Sequence, residues 1–418
     1  MDISEKPAST SAPKEKPLLW TFRALKHRNF RIYWIGQTIS LIGIWMQTIA
    51  QGWLVLRLTN APFYLGLVSF MNSLPIFLCA LPGGVVADRF DKRKVLVFTQ
   101  FCSLTFSLLL AALTFFKVIE VWHIMLIATI FGVINSFDLP SRQSFTFEMV
   151  GRDDLHNAIA LNSVSFNAAR IVGPAVAGIL IAWIGEAGCF FLNALSFLAV
   201  IISLSIIRTE IRPAFATGRT LVKDVQEGLQ YLRQHTHLMV IIMMIAVSSL
   251  FGMSYNVLMP VFAKDILKVG ARGLGFLMAG SGCGALVGAI TVASSTMMRP
   301  GATFLFGSIL YSVFLIAFSF SHVTWLSILL LVGVGWGMIS QNVTANTLVQ
   351  TTVPNELRGR MMSMYSLVFM GLMPVGNLIA GAIAQKMGAP FAVGLGGMIA
   401  LSCALFVRWR FSEVREIS

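Results

Sequence analysis

The chain has 418 residues, 56% of them hydrophobic and only 12% charged, with a formal net charge of +13. A soluble chain carries about twice that share of charge, and the alternating segments of a membrane β-barrel are not seen; both classes are excluded. The basic residues sit in short loops between apolar runs, where they act as topology determinants, so the excess charge implies a lipid bilayer as partner and not nucleic acid.

Residues 1–28 are polar and read as a cytoplasmic tail without a cleavable signal peptide. Apolar runs of bilayer length follow: Phe30–Leu56, Phe63–Ala87, Val95–Phe116, Val121–Pro140, Asn157–Ile184 and Cys189–Ile207, a six-helix bundle over 29–207. Between Arg208 and His237 the residues Leu221, Val225, Leu229 and Leu232 recur at helical spacing opposite Lys223, Asp224, Glu227 and Arg233, which predicts an amphipathic surface helix in a cytoplasmic linker, 208–237. A second set, Leu238–Phe262, Gly273–Met297, Thr303–Phe320, Trp325–Gln350, Met361–Lys386 and Phe391–Phe406, gives a six-helix bundle over 238–408 and a cytoplasmic tail, 409–418. The fold class expected is an all-α membrane protein with twelve transmembrane helices in two six-helix bundles. About 24 Lys and Arg fall on one side of the spans and about 6 on the other, so the richer side, with both termini, is expected to be cytoplasmic.

The halves echo each other. Gly173 and Gly178 in the fifth run match Gly376 and Gly381 in the eleventh at one constant offset. A weak repeat across two halves is what secondary transporters show, with the substrate site near mid-membrane between them.

Several residues stand out against the apolar background. Asp138, in Asn135-Ser136-Phe137-Asp138-Leu139-Pro140-Ser141-Arg142, must pair or bind a proton where it lies. It reads either as a protonation site or conformational switch, or as one half of a salt bridge with Arg93 or Arg142; Pro140 frees a carbonyl and can kink the helix. Arg170 lies inside the fifth run and must face the interior, as an anchor for an anionic substrate or as a hydrogen-bond hub. Gly173, Pro174 and Gly178 allow close helix approach and a bend. Asp88 adds nothing to topology, unlike Arg89, Lys92, Arg93 and Lys94 beside it. With Gly84 giving it room, Asp88 is expected to meet a helix N-terminus of the eleventh run and to hold the cytoplasmic side shut, with Glu356, Arg358 and Arg360 in the same gate. Gln37, Trp45, Gln51, Asn135, Phe137, Asn256, Gln341 and Asn342 are the candidates for a large, mostly apolar cavity, each of them also readable as interhelical glue.

The five cysteines lie in apolar runs without metal-ligand spacing and read as packing residues; no metal is expected. No nucleophile–base pairing suggests an enzyme. A Gly-x-x-x-x-Gly-Lys-Ser/Thr loop is absent from the sequence, so an ion gradient, most simply of protons, is expected to drive transport, with no other cofactor.

The segment Gly84-Val85-Val86-Ala87-Asp88-Arg89-Phe90-Asp91-Lys92-Arg93-Lys94 resembles the helix 2–3 signature of the major facilitator superfamily, and Gly173-Pro174 with Gly178 resembles its antiporter motif. The runs Asp138–Gln143, Asn157–Ser163, Phe166–Pro174 and Glu356–Ser363 are similar to the enterobactin-exporter and macrolide-efflux branch. The resemblance implies a twelve-helix rocker-switch antiporter of a bacterial inner membrane, working as a monomer on an amphiphilic small molecule such as a drug or siderophore. It implies Asp88 and Asp138 as conformational or proton-linked acids, with Arg93 in their charge network. Asp91 stands where the family often has Gly, which puts the geometry of that loop in question. An uptake permease, or a lipid-moving or signalling protein on the same fold, is the other reading.

Overall fold

The computed structural model describes residues 22–207, 230–294 and 300–411. The predicted amphipathic helix lies mostly outside them, although Leu232, its last apolar position, is buried in the core of the second bundle.

Among the described residues the chain is helical throughout. The first helix, α1, is Arg28–Thr59. Next, α2 is Pro62–Leu78 continued as Ala80–Arg89, bent by 55° at the junction; Pro82 has no N–H to offer the preceding turn there. Then α3 is Lys92–Phe115 and α4 is Val121–Val150. A continuous stretch, Leu155–Ile206, divides into α5 and α6 at Gly185, whose φ of 71° breaks the helix. In the second half α7 is Thr236–Ile266, α8 Gly270–Ser294, α9 Pro300–Ser319, α10 Thr324–Thr352, α11 Asn355–Met387 and α12 Ala389–Arg410. With the bent pair taken as one span and the long stretch as two, twelve apolar helices of bilayer length result.

Two helices differ from their predicted runs. The fourth run was expected to end at Pro140, yet α4 continues to Val150. Ser141 donates its hydroxyl to the Phe137 carbonyl at 2.8 Å, and the carbonyl of Ser136, which loses its i+4 donor at Pro140, is met by Gly83 of α2. Within α7, π-helical turns occupy Ser248–Gly252 and Phe262–Ile266. The first presents the carbonyls of Leu250 and Phe251 to Gly376 of α11 and Gly396 of α12, where a Cβ would come within 1.9 and 2.3 Å of those oxygens.

In lipid, helix association depends on close packing and not on hydrophobic exclusion, and the two halves meet through small residues. A Cβ on Gly66 of α2 would lie 2.3 Å from the Asn377 carbonyl oxygen of α11, and one on Gly275 of α8 would lie 2.6 Å from the Pro174 carbonyl oxygen of α5. Gly381 faces Gly66 and Gly178 faces Gly275 in the same manner. The predicted repeat is thus a pair of equivalent crossings, α2 on α11 and α8 on α5. Asn377 Nδ2 also donates to Ser69 Oγ at 2.9 Å, and Lys264 donates to Asn60.

These crossings lie toward one end of the helices. At the other end, which carries the basic α2–α3 connection, Asp88, Arg89 and Phe90 are exposed, and so are Arg358 and Gly359 at the start of α11. The cleft between the halves therefore opens toward the basic end and is closed at the opposite one.

Candidate functional site

Asp138 sits inside α4, 2% exposed. Burial of a lone carboxylate costs several kcal/mol unless it is paired and hydrogen-bonded, and each of its oxygens is engaged. Oδ1 accepts from Thr99 Oγ1 at 2.9 Å and from Gln100 Nε2 at 2.8 Å, both on α3. Oδ2 is paired with Arg142, one helical turn on. Of the two partners predicted for Asp138, Arg142 is the one found. Tyr33 of α1, packed edge-on against Phe145 with ring centroids 5.6 Å apart, lies in the field of both charges. Arg142 keeps a side-chain exposure of 20% against 3% for Asp138, so the pair touches solvent through its cation. Arg142 Nε, Gln100 Oε1 and Tyr33 Oη have no hydrogen-bond partner among the described residues. The carboxylate supplies the only counter-charge of a mostly buried guanidinium among the described residues, and ties α4 to α3.

The α2–α3 connection departs from expectation. Asp88 is exposed and has no ion-pair partner among the described residues; the expected contact with α11 is not made, because the halves are apart at this end. The side chain of Glu356 lies outside the described residues, and Arg358 donates to the Gln350 carbonyl at 3.0 Å. Gly84 does not provide a close approach, since a Cβ there meets nothing within 4 Å; its neighbour Gly83 does, 2.0 Å from the Ser136 oxygen. Arg93 is not in the charge network of the acids. Its Nε donates to the Leu204 carbonyl at 2.7 Å and a terminal nitrogen donates to Ser205 O at 3.1 Å, tying α3 to the end of α6, where free carbonyls gather. Asp91 does not disturb the loop: it caps α3, accepting from the backbone N–H of Arg93 at 2.9 Å and of Lys94 at 3.3 Å. The buried pair Lys92–Glu148, at 2.8 Å, was not anticipated. Arg89 is exposed, as a topology residue would be.

Arg170 is half-buried on α5 and is matched with no carboxylate among the described residues; its electrostatic neighbour is Tyr255 of α7, whose hydroxyl is 2.7 Å from Ser281 Oγ of α8. Behind it, Gly173 packs on Trp45 of α1, and Pro174 and Gly178 form the α8 crossing. The cation is thus held where the two halves meet. Of the other cavity candidates, Gln51, Phe137, Asn256 and Asn342 are half-buried and Asn135 is exposed. Trp45 stacks edge-on with Phe166, centroids 5.8 Å apart. Gln37 and Gln341 are 5% and 1% exposed; Gln341 donates to Ser248 Oγ of its own half at 2.8 Å. Among the described residues no three His, Cys, Asp or Glu come together as metal ligands. Thr99, Gln100 and Tyr33 were missed as site residues; the available signal was Gln100, the one amide in a third run of apolar and hydroxyl residues.

A family model described as transmembrane secretion effector matches residues 20–417. The chain is 24% identical to the staphyloferrin A transporter of Staphylococcus aureus, over 86% of this chain and 90% of that one. It is 25% identical to the enterobactin exporter of Shigella flexneri, over 89% and 86%, and 21% identical to macrolide efflux protein A of Streptococcus pyogenes, over 94% and 99%. Among solved structures it is similar to a peptide transporter (TM-score 0.75, 11% identity, 93% and 95% covered) and to the inward-open xylose transporter of E. coli (TM-score 0.68, 12% identity, 91% and 95% covered), likenesses of fold alone.

Proposed function

Because the chain belongs to the transmembrane secretion effector family of the major facilitator superfamily, we propose that it is a proton-coupled antiporter that exports an organic amphiphile across a bacterial inner membrane. The basic connections and both termini face the cytoplasm in this reading, so the cleft is open to the cytoplasm. Relatives named for siderophores and macrolides support an amphiphilic substrate. The observation that carries the coupling is Asp138, a fully engaged buried carboxylate that touches solvent only through Arg142.

Substrate enters the open cleft and meets Arg170, a cation held between the halves without a carboxylate partner among the described residues; an anionic group on the substrate would complete it. With Asp138 paired to Arg142, the loaded carrier parts the two crossings at the far end and releases substrate outside, where a proton from the outer side binds Asp138, frees Arg142, loosens α4 from α3 and returns the cleft to the cytoplasm. Loss of the proton to the cytoplasm restores the ion pair and resets the cleft. One charge crossing 100 mV supplies about 2.3 kcal/mol, enough for a more than tenfold gradient of a neutral substrate.

The test is transport into inverted vesicles under an imposed pH gradient, with a panel of siderophores and hydrophobic antibiotics. Substrate addition should release protons, and Asp138→Asn should abolish gradient-driven accumulation while leaving downhill exchange. Full accumulation in Asp138→Asn would remove that residue from coupling, and flux indifferent to pH and voltage would remove antiport.

A further inference from the structure

The face of α5 that carries Arg170 is fixed by its contacts. At about 100° per residue, Phe166 and Gly173 fall about 40–60° to one side of Arg170, where a Cβ on Gly173 would lie 2.5 Å from Trp45 Cβ of α1. Ile171 and Gly178 fall about 80–100° to the other side, where they pack against Gly282 and Gly275 of α8. The exposed apolar residues Val164, Val172 and Ile179 lie about 120–180° away and take the lipid. Arg170 therefore projects between α1 and α8 into the cleft, with Tyr255 of α7 as its electrostatic neighbour. Its guanidinium has no hydrogen-bond or ion-pair partner among the described residues.

An aromatic pair stands beside this cation. Phe166 precedes Arg170 by one helical turn, which sets their Cβ atoms about 6 Å apart. It stays 46% exposed although it lies on the cleft face and not the lipid face. Trp45 meets it edge-on, with centroids 5.8 Å apart and planes at 67°, so the two rings form a corner next to the guanidinium. The Gly173 contact holds Trp45 from behind, and the corner is preformed. Trp45 belongs to the cleft as well. Gly52 lies within about 20° of it on α1 and meets α7 across the halves, a Cβ there lying 3.5 Å from Pro260 Cγ. Thr48, between the two, is exposed, and Asn256, one turn before Pro260, is half-buried.

We propose that Trp45, Phe166 and Arg170 form a recognition subsite for a flat aromatic ring that carries an anionic group, such as an aryl carboxylate. Rings pack on one another offset or edge to face, and the corner offers both arrangements to a third ring. The planar guanidinium takes the anionic group at the edge of that ring through parallel hydrogen bonds. Neither part makes the selection alone: the cation would accept any anion, and the two rings any flat apolar group. A cationic amphiphile would place like charge against Arg170 and is refused. The proposal rests on the reading that Arg170 takes an anionic group of the substrate, and adds the ring to it.

The test is equilibrium binding of tritiated naphthoate to the full chain in lipid nanodiscs, without a gradient and with empty nanodiscs as the blank. Two competitors separate the terms. Decahydronaphthoate keeps the charge and loses the flat ring; naphthamide keeps the ring and loses the charge. In the parent protein, a comparison that needs no variant, each should bind about tenfold more weakly than naphthoate. Trp45→Leu and Phe166→Leu, the second at an exposed ring, should each bring naphthoate down to the level of its saturated analogue and leave the analogue unchanged. Arg170→Gln should remove the preference for charge and keep the preference for the ring. Equal affinities for the two acids in the parent, or a ring preference that survives both Leu substitutions, overturn the subsite. A ring preference without any preference for charge overturns the anion reading beneath it, and no saturable binding of naphthoate overturns both. Because no gradient is applied, a failure of proton coupling leaves all of these readings where they are.

Discussion

Replacing Gly66 with Ala should drive the transporter out of the state described. The added Cβ would lie 2.3 Å from the Asn377 oxygen, 3.0 Å from its carbonyl carbon and 3.1 Å from Leu378 Cα, all backbone atoms that cannot rotate away. An ordinary contact needs α2 and α11 to part by about 1 Å, and overpacking of this kind costs about 1–3 kcal/mol. The 2.9 Å bond from Asn377 to Ser69 would stretch as well, worth about 1 kcal/mol more. The cost falls only on conformations in which the crossing is closed, and each 1.4 kcal/mol is tenfold in population. Closed and open states should therefore shift by roughly 30- to 700-fold. Pulsed dipolar spectroscopy between spin labels at Leu58 and Met387, both exposed at that end, should report a longer distance in Gly66→Ala. Gly84→Ala, whose Cβ meets nothing within 4 Å, should leave the distance as in the parent. An unchanged distribution in a folded Gly66→Ala protein would refute the close crossing as the closure of the far end.

Gly83→Ala and Gly84→Ala should part company in thermal unfolding: the first destabilises by about 1–3 kcal/mol against the Ser136 carbonyl, and the second is neutral or gains up to about 1 kcal/mol from helix propensity. Asp91→Ala should cost about 0.5–2 kcal/mol through loss of the α3 cap, and Asp91→Asn much less; hydrogen exchange at the start of α3 checks this. Arg170→Gln should impair transport of anionic substrates at least about tenfold while sparing neutral ones, with partial recovery in Arg170→Lys; equal loss across both classes would mark Arg170 as a packing hub instead.

The helix count and the glycine repeat were readable because bilayer thickness fixes run length and because equivalent crossings need equivalent small residues. Azimuth was harder. A helix in lipid is as apolar outside as inside, so nothing in the local pattern separated Gln37 and Gln341, which are buried, from Asn256 and Asn342, which are half-buried. Adjacent glycines in α2 are equivalent to a sequence reader; the carbonyl released by Pro140 on another helix makes Gly83 the close one. Asp138 was recognised as costly, but its α3 partners depend on which helix α4 lies against. The Asp91 cap was available from sequence, as an acid directly before a helix. The first π turn of α7 sets the Leu250 and Phe251 carbonyls against glycines of α11 and α12, contacts that have no local signature.

The two ends of the cleft are built from unlike materials. The closed end is chiefly a pair of glycine crossings between backbones, joined by an ion–dipole contact from Lys264 to Asn60 and no ion pair between the halves among the described residues, so its strength depends more on shape than on salt or acidity. The open end presents Asp88, Arg89 and Arg358, so whatever shuts it must do so with charges, which ionic strength screens over about 8 Å at physiological salt. A transporter assembled in this way would sense ionic conditions on one side of the membrane and be mechanically indifferent to them on the other. Its resting bias would then be adjustable from the side that carries the basic loops and insulated from the other.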